Sequence, residues 1–318
     1  MGRGIMNRVI LVTAIGGDVG HSILKCLKNE SDVLIGCDID SHPVGLDVVD
    51  KFFSSLPAGN EDYISQISNK CKIYNVTHLV PVSEHEIEAI IHHLDIFERL
   101  NVKVLINRKE IVDICLDKYL TAQRLEHLGL DIPEYFSEDN FVADGRKYIV
   151  KFRKSCGSKL LTIITTQKEL DKISSSVSEL LIIQEYIDAS DEEYTVGVFS
   201  DGKEIRIISF QRRLQGGYTK FVKLVDDSSI TRDAIIAAQG LGLVGSFNIQ
   251  LRKSGGKNYI FEINPRISGT VNFRHQLGFE DVRWWLDMMD EREVQPYVKK
   301  YKSAIGIREM NEKFLLLS

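Results

Sequence analysis

The first hundred residues alternate between short apolar runs and amphipathic segments. Four of the apolar runs have the character of strands: NRVILVTA, DVLIGCDID, VTHLVPVS and VKVLIN. The segments between them, such as DVGHSILKCLKN and NEDYISQISNKCKIYN, have the spacing of amphipathic helices. Strands that are joined by helices of this length form βαβ units, so the pattern predicts an α/β domain with a parallel sheet.

The pattern changes farther along the chain. A long helical stretch, RKEIVDICLDKYLTAQRLEHLGLDIPE, is expected to end at Gly129, and a domain boundary is placed before it, near residue 108. From about residue 140 the strand patterns follow one another closely: KYIVKFR, LTIITT, LLIIQEYI, EYTVGVFS and EIRIISFQRR. A helix, TQKELDKISSSVSEL, interrupts them. This second region is therefore predicted to be α+β with an antiparallel sheet.

Two strand patterns near the C-terminal end, GSFNIQLRK and KNYIFEINPR, flank a turn signal, SGG. Side chains alternate along a strand, so Asn248 and Gln250 share one face, and Glu262 and Asn264 share one face. A hairpin folded about Gly256 places Gln250 opposite Glu262 and Asn248 opposite Asn264. Oxygen-bearing side chains of this kind suit Mg²⁺ that also keeps phosphate ligands, so the hairpin predicts a magnesium site. An exposed hairpin with ordinary polar residues is the alternative.

Basic side chains are placed where they could contact phosphate. Arg266 follows the second strand of the hairpin, and a guanidinium matches planar pairs of oxygens. Lys151 ends the strand KYIVK and precedes a loop with Gly157 and Ser158, whose backbone N–H groups could cap phosphate oxygens. Lys118 lies in the helical segment CLDKYLTAQRL. For each lysine the alternative is a solvated surface charge.

Composition limits the class of protein. A formal net charge of −5 and the lack of a basic run argue against nucleic acid as the main partner. No apolar run approaches the roughly 18 residues needed to span a bilayer, and the N-terminus does not form a signal peptide. The five cysteines show no CxxC spacing and are expected to be reduced thiols. The sequence thus predicts a cytoplasmic protein without a membrane partner.

A glycine loop offers a different function. Gly16, Gly17 and Gly20 follow a strand and open a helix, and Asp38 and Asp40 end the next strand, as in a dinucleotide-binding fingerprint. The spacing is G-G-x-x-G rather than G-x-G-x-x-G. Three interpretations therefore stay open: an NAD(P) site, a tight structural turn, or a substrate contact at the N-terminus of the helix.

The strings NIQLR and FEINPRISG resemble the metal-binding end of ATP-grasp enzymes, closest to the carbamoyl-phosphate-synthetase-like branch. That branch has Asn-x-Gln on one strand and Glu-x-Asn-Pro-Arg on the next. The resemblance runs from about residue 110 to 290 and weakly through the first hundred residues. It implies a Rossmann-like pre-ATP-grasp domain at 1–108 and an ATP-grasp fold with antiparallel sheets at 109–318. The latter would comprise a lid subdomain at about 140–190 and a metal-binding subdomain at about 191–318.

The resemblance also implies ATP and Mg²⁺ (or Mn²⁺) as cofactors, with two of these ions bound to each ATP. The backbone near Ile187 would pair with the adenine edge, and Glu193, or alternatively Glu192, would accept the ribose hydroxyls. The lid departs from the family pattern, because Phe152 replaces a proline and glycines are missing. The implied residues are Arg266 and Lys151 for catalysis, Lys118, Lys151, Gly157, Ser158, Glu185, Ile187 and Glu193 for ATP, and Gln250, Glu262 and Asn264 for the metal.

The activity implied is that of a carboxylate–amine ligase. ATP would phosphorylate a small-molecule carboxylate, and an amine would displace phosphate from the acyl phosphate, with release of ADP and phosphate. The connection FQRRLQGGYTKFVK, expected to be a flexible loop, carries five candidates for binding the substrate, among which an arginine would hold the carboxylate: Arg212, Arg213, Tyr218, Lys220 and Lys223. A homodimer is common among similar proteins. The alternatives are an NAD(P)-dependent oxidoreductase that uses the Gly16–Gly20 loop, or a non-catalytic nucleotide-binding protein, which the thinned glycine lid favours.

Overall fold

The computed structural model describes residues 8–28, 32–154, 160–188 and 193–309. The chain divides into two compact units. Unit 1 comprises residues 1–107, 266–301 and 307–318, and unit 2 comprises residues 108–265 and 302–306. Residues 266–301 thus pack with the N-terminal hundred residues, although the sequence analysis assigns them to the second domain. Compact units describe packing rather than ancestry, so the predicted domain limits stay a prediction.

Unit 1 contains a parallel sheet of five strands within the described residues, in the order β3-β2-β1-β4-β5. The elements in chain order are β1 (Val9–Val12), α1 (Asp18–Leu27), β2 (Val33–Asp38), β3 (Lys51–Ser54), α2 (Tyr63–Tyr74), β4 (His78–Val80), α3 (Glu84–Ile91), α4 (Leu94–Arg99) and β5 (Lys103–Val104). The predicted parallel α/β sheet is confirmed. The edge strand β3 was not predicted, because its four residues are mostly exposed or half-buried and show no apolar run.

The glycine loop between β1 and α1 forms a tight turn. A Cβ on Gly20 would lie 2.3 Å from the carbonyl oxygen of Ala14, so the helix approaches the strand end too closely for any side chain. Asp38 accepts hydrogen bonds from the backbone N–H groups of Gly16 at 2.7 Å and Asp40 at 2.9 Å. One carboxylate oxygen of Asp38 therefore holds the glycine loop and the other holds the backbone just after β2, so the acidic residue has a structural role that does not require a bound ribose.

Unit 2 begins with two helices, α5 (Lys109–Leu116) and α6 (Lys118–His127), where the sequence analysis predicts one. The break falls at Asp117, whose backbone is extended and whose carboxylate accepts hydrogen bonds from the N–H groups of Tyr119 and Leu120. An aspartate that caps the second helix in this way must itself leave the helical conformation. The predicted end at Gly129 agrees with its left-handed backbone, with φ of 73°.

A small antiparallel sheet follows, with strand order β6-β9-β7-β8. Its elements are β6 (Tyr135–Ser137), β7 (Tyr148–Phe152), β8 (Leu161–Ile164), α7 (Gln167–Ser174) and β9 (Leu181–Glu185). Buried aromatic and aliphatic residues, among them Phe141, Tyr148 and Val150, pack between the sheet and α7. This region corresponds to the predicted α+β pattern from about residue 140.

A larger antiparallel sheet completes unit 2, in the order β14-β13-β10-β11-β12-β15. Its elements are β10 (Glu193–Ser200), β11 (Ile205–Gln215), β12 (Tyr218–Val225), α8 (Ser228–Leu241), β13 (Gly245–Ser254), β14 (Lys257–Asn264) and β15 (Ile305–Ile307). One face packs on α5, α6 and α8 through a core that includes Val196, Phe247, Ile249 and Ile263. The opposite face is left to carry polar side chains.

The segment that returns to unit 1 contains α9 (Val271–Gln276) and α10 (Asp281–Met289). Arg274 and Asp281 form an ion pair here, with nitrogen–oxygen distances of 3.0 and 2.7 Å and side chains that are 1% and 0% exposed. Both tryptophans of the chain, Trp284 and Trp285, are buried in α10. No helix among the described residues is long and apolar enough to cross a bilayer, and Cys26, Cys37, Cys71 and Cys115 are buried free thiols.

Replacement of Asp281 by alanine should destabilise unit 1. The change leaves the guanidinium of Arg274 buried without its carboxylate, and breaking a buried pair in this way typically costs about 3–5 kcal/mol. Denaturant unfolding followed by tryptophan fluorescence would measure it, because both tryptophans belong to this unit. The matched control is Asp95→Ala, which removes an exposed pair with Arg99 and should cost less than about 1 kcal/mol. Equal losses in the two variants would contradict the prediction.

Candidate functional site

A cavity on the polar face of unit 2 collects most of the residues that the sequence analysis selected. It lies between the small sheet and the strands β10, β11, β13 and β14 of the large one. Seven of the predicted residues that the structure describes line it: Lys118, Lys151, Glu185, Ile187, Glu193, Gln250 and Glu262. Gly157 and Ser158, as well as the alternative ribose residue Glu192, lie outside the described residues.

The hairpin of β13 and β14 has the predicted register, but it reaches this register through a β-bulge that was not predicted. Gly255 and Gly256, with φ of 56° and 78°, form a two-residue turn. That turn alone would place Gln250 opposite Phe261. A β-bulge changes this register: Leu251 pairs with Ile260, and Phe261 is the extra residue in β14. Beyond the bulge, Gln250 pairs with Glu262 and Asn248 pairs with Asn264. The bulge turns both Phe261 and Glu262 toward the cavity.

The two lysines lie at one end of this cavity. Lys151, in β7, is 8% exposed, and its burial lowers its pKa to about 8, against the opposing effect of the nearby Glu262 carboxylate. The positive charges of Lys118 and Arg252 make smaller contributions in the same direction as burial to this lowered pKa. Arg153 donates hydrogen bonds to Asp117 at 2.8 and 2.9 Å, which ties the end of β7 to the start of α6. The ion pair therefore holds the two lysines close to each other.

The backbone after β9 provides a different type of group. Ile187 is 8% exposed, and its N–H has no hydrogen-bond partner in the described part of the chain. Its carbonyl oxygen accepts a hydrogen bond from Arg252 at 3.0 Å. Apolar side chains of Ile149, Leu161 and Phe261 form the neighbouring walls of the cavity. An unsatisfied donor beside apolar walls is the arrangement that a flat heteroaromatic ring requires.

Glu193 is held by two arginines. Arg212 donates to one carboxylate oxygen at 3.0 and 2.9 Å, and Arg252 donates to the other at 3.2 and 3.0 Å. The Glu193 side chain is 13% exposed and that of Arg212 is 9% exposed. Arg252 is not among the predicted site residues, although its position two residues after Gln250 puts it on the same face of the strand. Phe261 could not be found this way, because only the bulge turns it to the cavity.

The predicted metal ligands fall into two groups. Among the described residues, the Glu262 carboxylate and the Asn264 side chain have no hydrogen-bond partner. Gln250, in contrast, accepts a hydrogen bond from Arg212 at 2.7 Å on its side-chain oxygen, and Asn248 accepts one from Thr195 at 2.7 Å. Within the described ranges no three His, Cys, Asp or Glu side chains are grouped for metal binding. Glu262 and Asn264 thus fit a hard cation, whereas the oxygens of Gln250 and Asn248 are already engaged.

Arg266 lies in unit 1. It donates a hydrogen bond to Glu84 at 3.1 Å and another to the carbonyl oxygen of Ile267 at 3.2 Å. Its predicted contact with phosphate stays a prediction. The five candidates for substrate binding lie in two strands rather than in a loop: Arg212 and Arg213 belong to β11, and Tyr218, Lys220 and Lys223 belong to β12. Of these five, Arg212 lines the cavity.

Comparison with known proteins agrees with this geometry. Residues 115–270 match the family model of the ATP-grasp domain. The chain is 28% identical over 189 residues to the carbamoyl phosphate synthase large chain of Thermotoga petrophila, a match that covers 52% of this chain and only 17% of that relative. It is 26% identical over 238 residues to the tyramine–L-glutamate ligase of Methanocaldococcus jannaschii, covering 71% of this chain and 69% of the ligase.

Solved structures show the same fold. An N5-carboxyaminoimidazole synthetase from Staphylococcus aureus, complexed with ADP, has a TM-score of 0.73 at 12% identity and covers 96% of this chain and 83% of its own. An L-amino acid ligase from Bacillus licheniformis has a TM-score of 0.67 at 15% identity, covering 92% and 78%. The parallel sheet followed by two antiparallel sheets, as predicted, is confirmed as the architecture shared with these neighbours. Residues 115–270 therefore form an ATP-grasp domain, in a chain that is related to carbamoyl phosphate synthase large chains.

Proposed function

We propose that the chain is an ATP-dependent carboxylate–amine ligase that works through an acyl phosphate and releases ADP and phosphate. The observation that carries the proposal is the cavity in unit 2, where two lysines lie beside a carboxylate, Glu262, that has no hydrogen-bond partner among the described residues. A cationic end and an apolar end in one cavity suit a nucleoside triphosphate.

In this proposal the apolar end binds adenine. The N–H of Ile187 donates a hydrogen bond to a ring nitrogen, and the faces of the ring pack between Ile149, Leu161 and Phe261. Glu193 lies along the same side of the cavity and accepts hydrogen bonds from the ribose hydroxyls through lone pairs that its two arginines leave available. These contacts orient the nucleotide so that its phosphates point to the lysines.

The cationic end binds the phosphates. The ammonium groups of Lys118 and Lys151 stabilise the negative charge of the phosphate chain, and Glu262 and Asn264 are the residues that would hold the Mg²⁺ or Mn²⁺ ion. When bound, that ion offsets charge on the phosphate oxygens during transfer. Burial makes the charge of Lys151 more effective than a solvated lysine, because water screens it less.

The chemistry then needs no nucleophile from the protein. A substrate carboxylate oxygen attacks the γ-phosphorus, and the bond to the β-phosphate oxygen breaks to give an acyl phosphate and ADP. The amine attacks the acyl carbon, loses a proton, and phosphate leaves. Two relatives support this class of reaction by their names, the tyramine–L-glutamate ligase and the L-amino acid ligase. The protein contributes positioning and electrostatic stabilisation.

The nucleotide site can be tested by thermal unfolding of the wild type and Glu262→Gln. Mg·ATP at 100 times its dissociation constant should stabilise the wild type by about 2.7 kcal/mol, and the shift should shrink in the variant, which loses the charge that holds the cation. Circular dichroism or calorimetry is the measurement, because both tryptophans lie in unit 1. The control is Glu179→Gln, which changes an exposed residue of unit 2 that does not line the cavity. Stabilisation by NADH but not by Mg·ATP would refute the proposal.

Turnover needs a separate test. Pairs of small carboxylates and amines are screened for ADP release in the presence of Mg·ATP, and the amide product is identified by mass spectrometry. ADP release that requires both substrates supports the ligase. Nucleotide binding without ADP release for any pair would favour the non-catalytic alternative instead.

The affinity for ATP should fall as the pH rises above about 8. The pKa of Lys151 is lowered to about 8, so the ammonium that attracts phosphate is lost above that pH. If the neutral amine does not bind phosphate, the dissociation constant rises up to about tenfold per pH unit in this range. Titrations with a fluorescent ATP analogue at intervals of about half a pH unit, from about pH 6.5 to about 9.5, measure this dissociation constant.

The matched variant for this titration is Lys151→Arg. A guanidinium stays charged across the whole range, so its profile should be flat where that of the wild type falls. A pH dependence that is the same in both proteins would assign the effect to another group.

A further inference from the structure

Three charged side chains form a row across neighbouring strands of the large sheet. Glu193 in β10 is the direct cross-strand partner of Arg252 in β13. Arg212 in β11 lies one position beyond the paired residues Tyr194 and Gln211, which brings it beside Glu193 from the other side. The row therefore reads cation, anion, cation, and each oxygen of the carboxylate is bound by a different guanidinium.

Arg212 makes one more contact that matters for the phosphate end. The nitrogen that bonds Glu193 at 2.9 Å also donates to the side-chain oxygen of Gln250 at 2.7 Å. The amide oxygen is the only atom of the Gln250 side chain that can ligate a metal. A divalent cation on this oxygen would therefore lie next to a guanidinium, which stays protonated in proteins, and the two positive charges would repel each other.

The other end of the predicted metal site differs. Glu262 is opposite Gln250 in the ladder, yet its carboxylate has no hydrogen-bond partner within the described residues, and neither has the Asn264 side chain. The cavity lining carries four cations, Lys118, Lys151, Arg212 and Arg252, and three carboxylates, Glu185, Glu193 and Glu262. Arg212 and Arg252 are not among the residues of the predicted metal site, and their positive charges add to those of the two lysines in the cavity.

We propose that the Arg212 guanidinium takes the place of a divalent cation at the Gln250 end, so that the nucleotide is bound with one divalent cation, at Glu262 and Asn264. This inference rests on the proposed nucleotide site and specifies how many divalent cations that site binds. Arg212 is held by Glu193 and Gln250 before any ligand arrives, so its charge is fixed in position. A planar guanidinium with several donors can bridge Gln250 and a phosphate oxygen, as an ion would.

The test counts bound Mn²⁺ in the presence of saturating non-hydrolysable ATP analogue. Electron paramagnetic resonance measures free Mn²⁺, and equilibrium dialysis gives the total, so the number per protein follows without any turnover. The wild type should bind one Mn²⁺ per nucleotide. Arg212→Met, which frees the oxygen of Gln250 and removes the charge, should bind two.

Two further variants serve as controls. Arg213→Met changes the next residue of the same strand, an exposed arginine that packs on the ring of Phe221 and does not line the cavity. It should bind one Mn²⁺, as the wild type does. Arg212→Lys keeps a positive charge and should also bind one.

Two Mn²⁺ ions in the wild type would overturn the inference and leave the proposed function standing, and this result needs no variant to fold. One Mn²⁺ in an Arg212→Met protein that still binds the nucleotide would overturn it as well. No binding of the nucleotide to the wild type would overturn the proposed function itself, and the inference with it. The three results are thus distinguishable.

Discussion

The carboxylate of Glu193 connects the parts of the cavity to each other. Through Arg252 it is linked to the carbonyl oxygen of Ile187, at the end that we assign to the base, and through Arg212 to Gln250, at the start of the phosphate end. Charges that are this little exposed are stable only while they are paired. The positions of both arginines therefore depend on Glu193, and replacement of any one of Arg212, Glu193 and Arg252 would alter the ion pairs of the other two.

Lys151 shows how binding and stability are opposed in this cavity. Its pKa in the folded protein, about 8, lies below the ordinary lysine value of 10.5. Between these two values the unfolded chain binds more protons than the folded one, so this group makes the fold more stable as the pH rises. Over the same range the protein loses the charge that attracts phosphate. Burial thus strengthens the attraction between the Lys151 ammonium and phosphate, and it lowers the free energy of unfolding while that ammonium is charged.

The sequence was informative where periodicity carries the signal and less so where a single residue changes the backbone. Alternation along GSFNIQLRK and KNYIFEINPR is sufficient to place Gln250 and Arg252 on one face of the first strand, and Glu262 and Asn264 on one face of the second. The pairing of Gln250 with Glu262 depends in addition on the bulge. The break between α5 and α6 and the bulge at Phe261 were not predicted, because each depends on local hydrogen bonding rather than on an apolar pattern. Ion pairs such as that of Arg212 with Glu193 depend on which strands are neighbours, and a linear pattern does not give strand order.

The bulge in β14 also determines where the β13–β14 hairpin can lose a residue without losing its register. The residue that the bulge adds is Phe261, and without it a two-residue glycine turn would still pair the acid that follows with Gln250. Loss of that one codon would remove an aromatic wall from the cavity while the polar ladder beside it stayed in register. Insertion or loss of a residue elsewhere in either strand would exchange the two faces of the sheet. The hairpin therefore contains a position at which evolution can vary the shape of the pocket by a change in length without moving its charged groups.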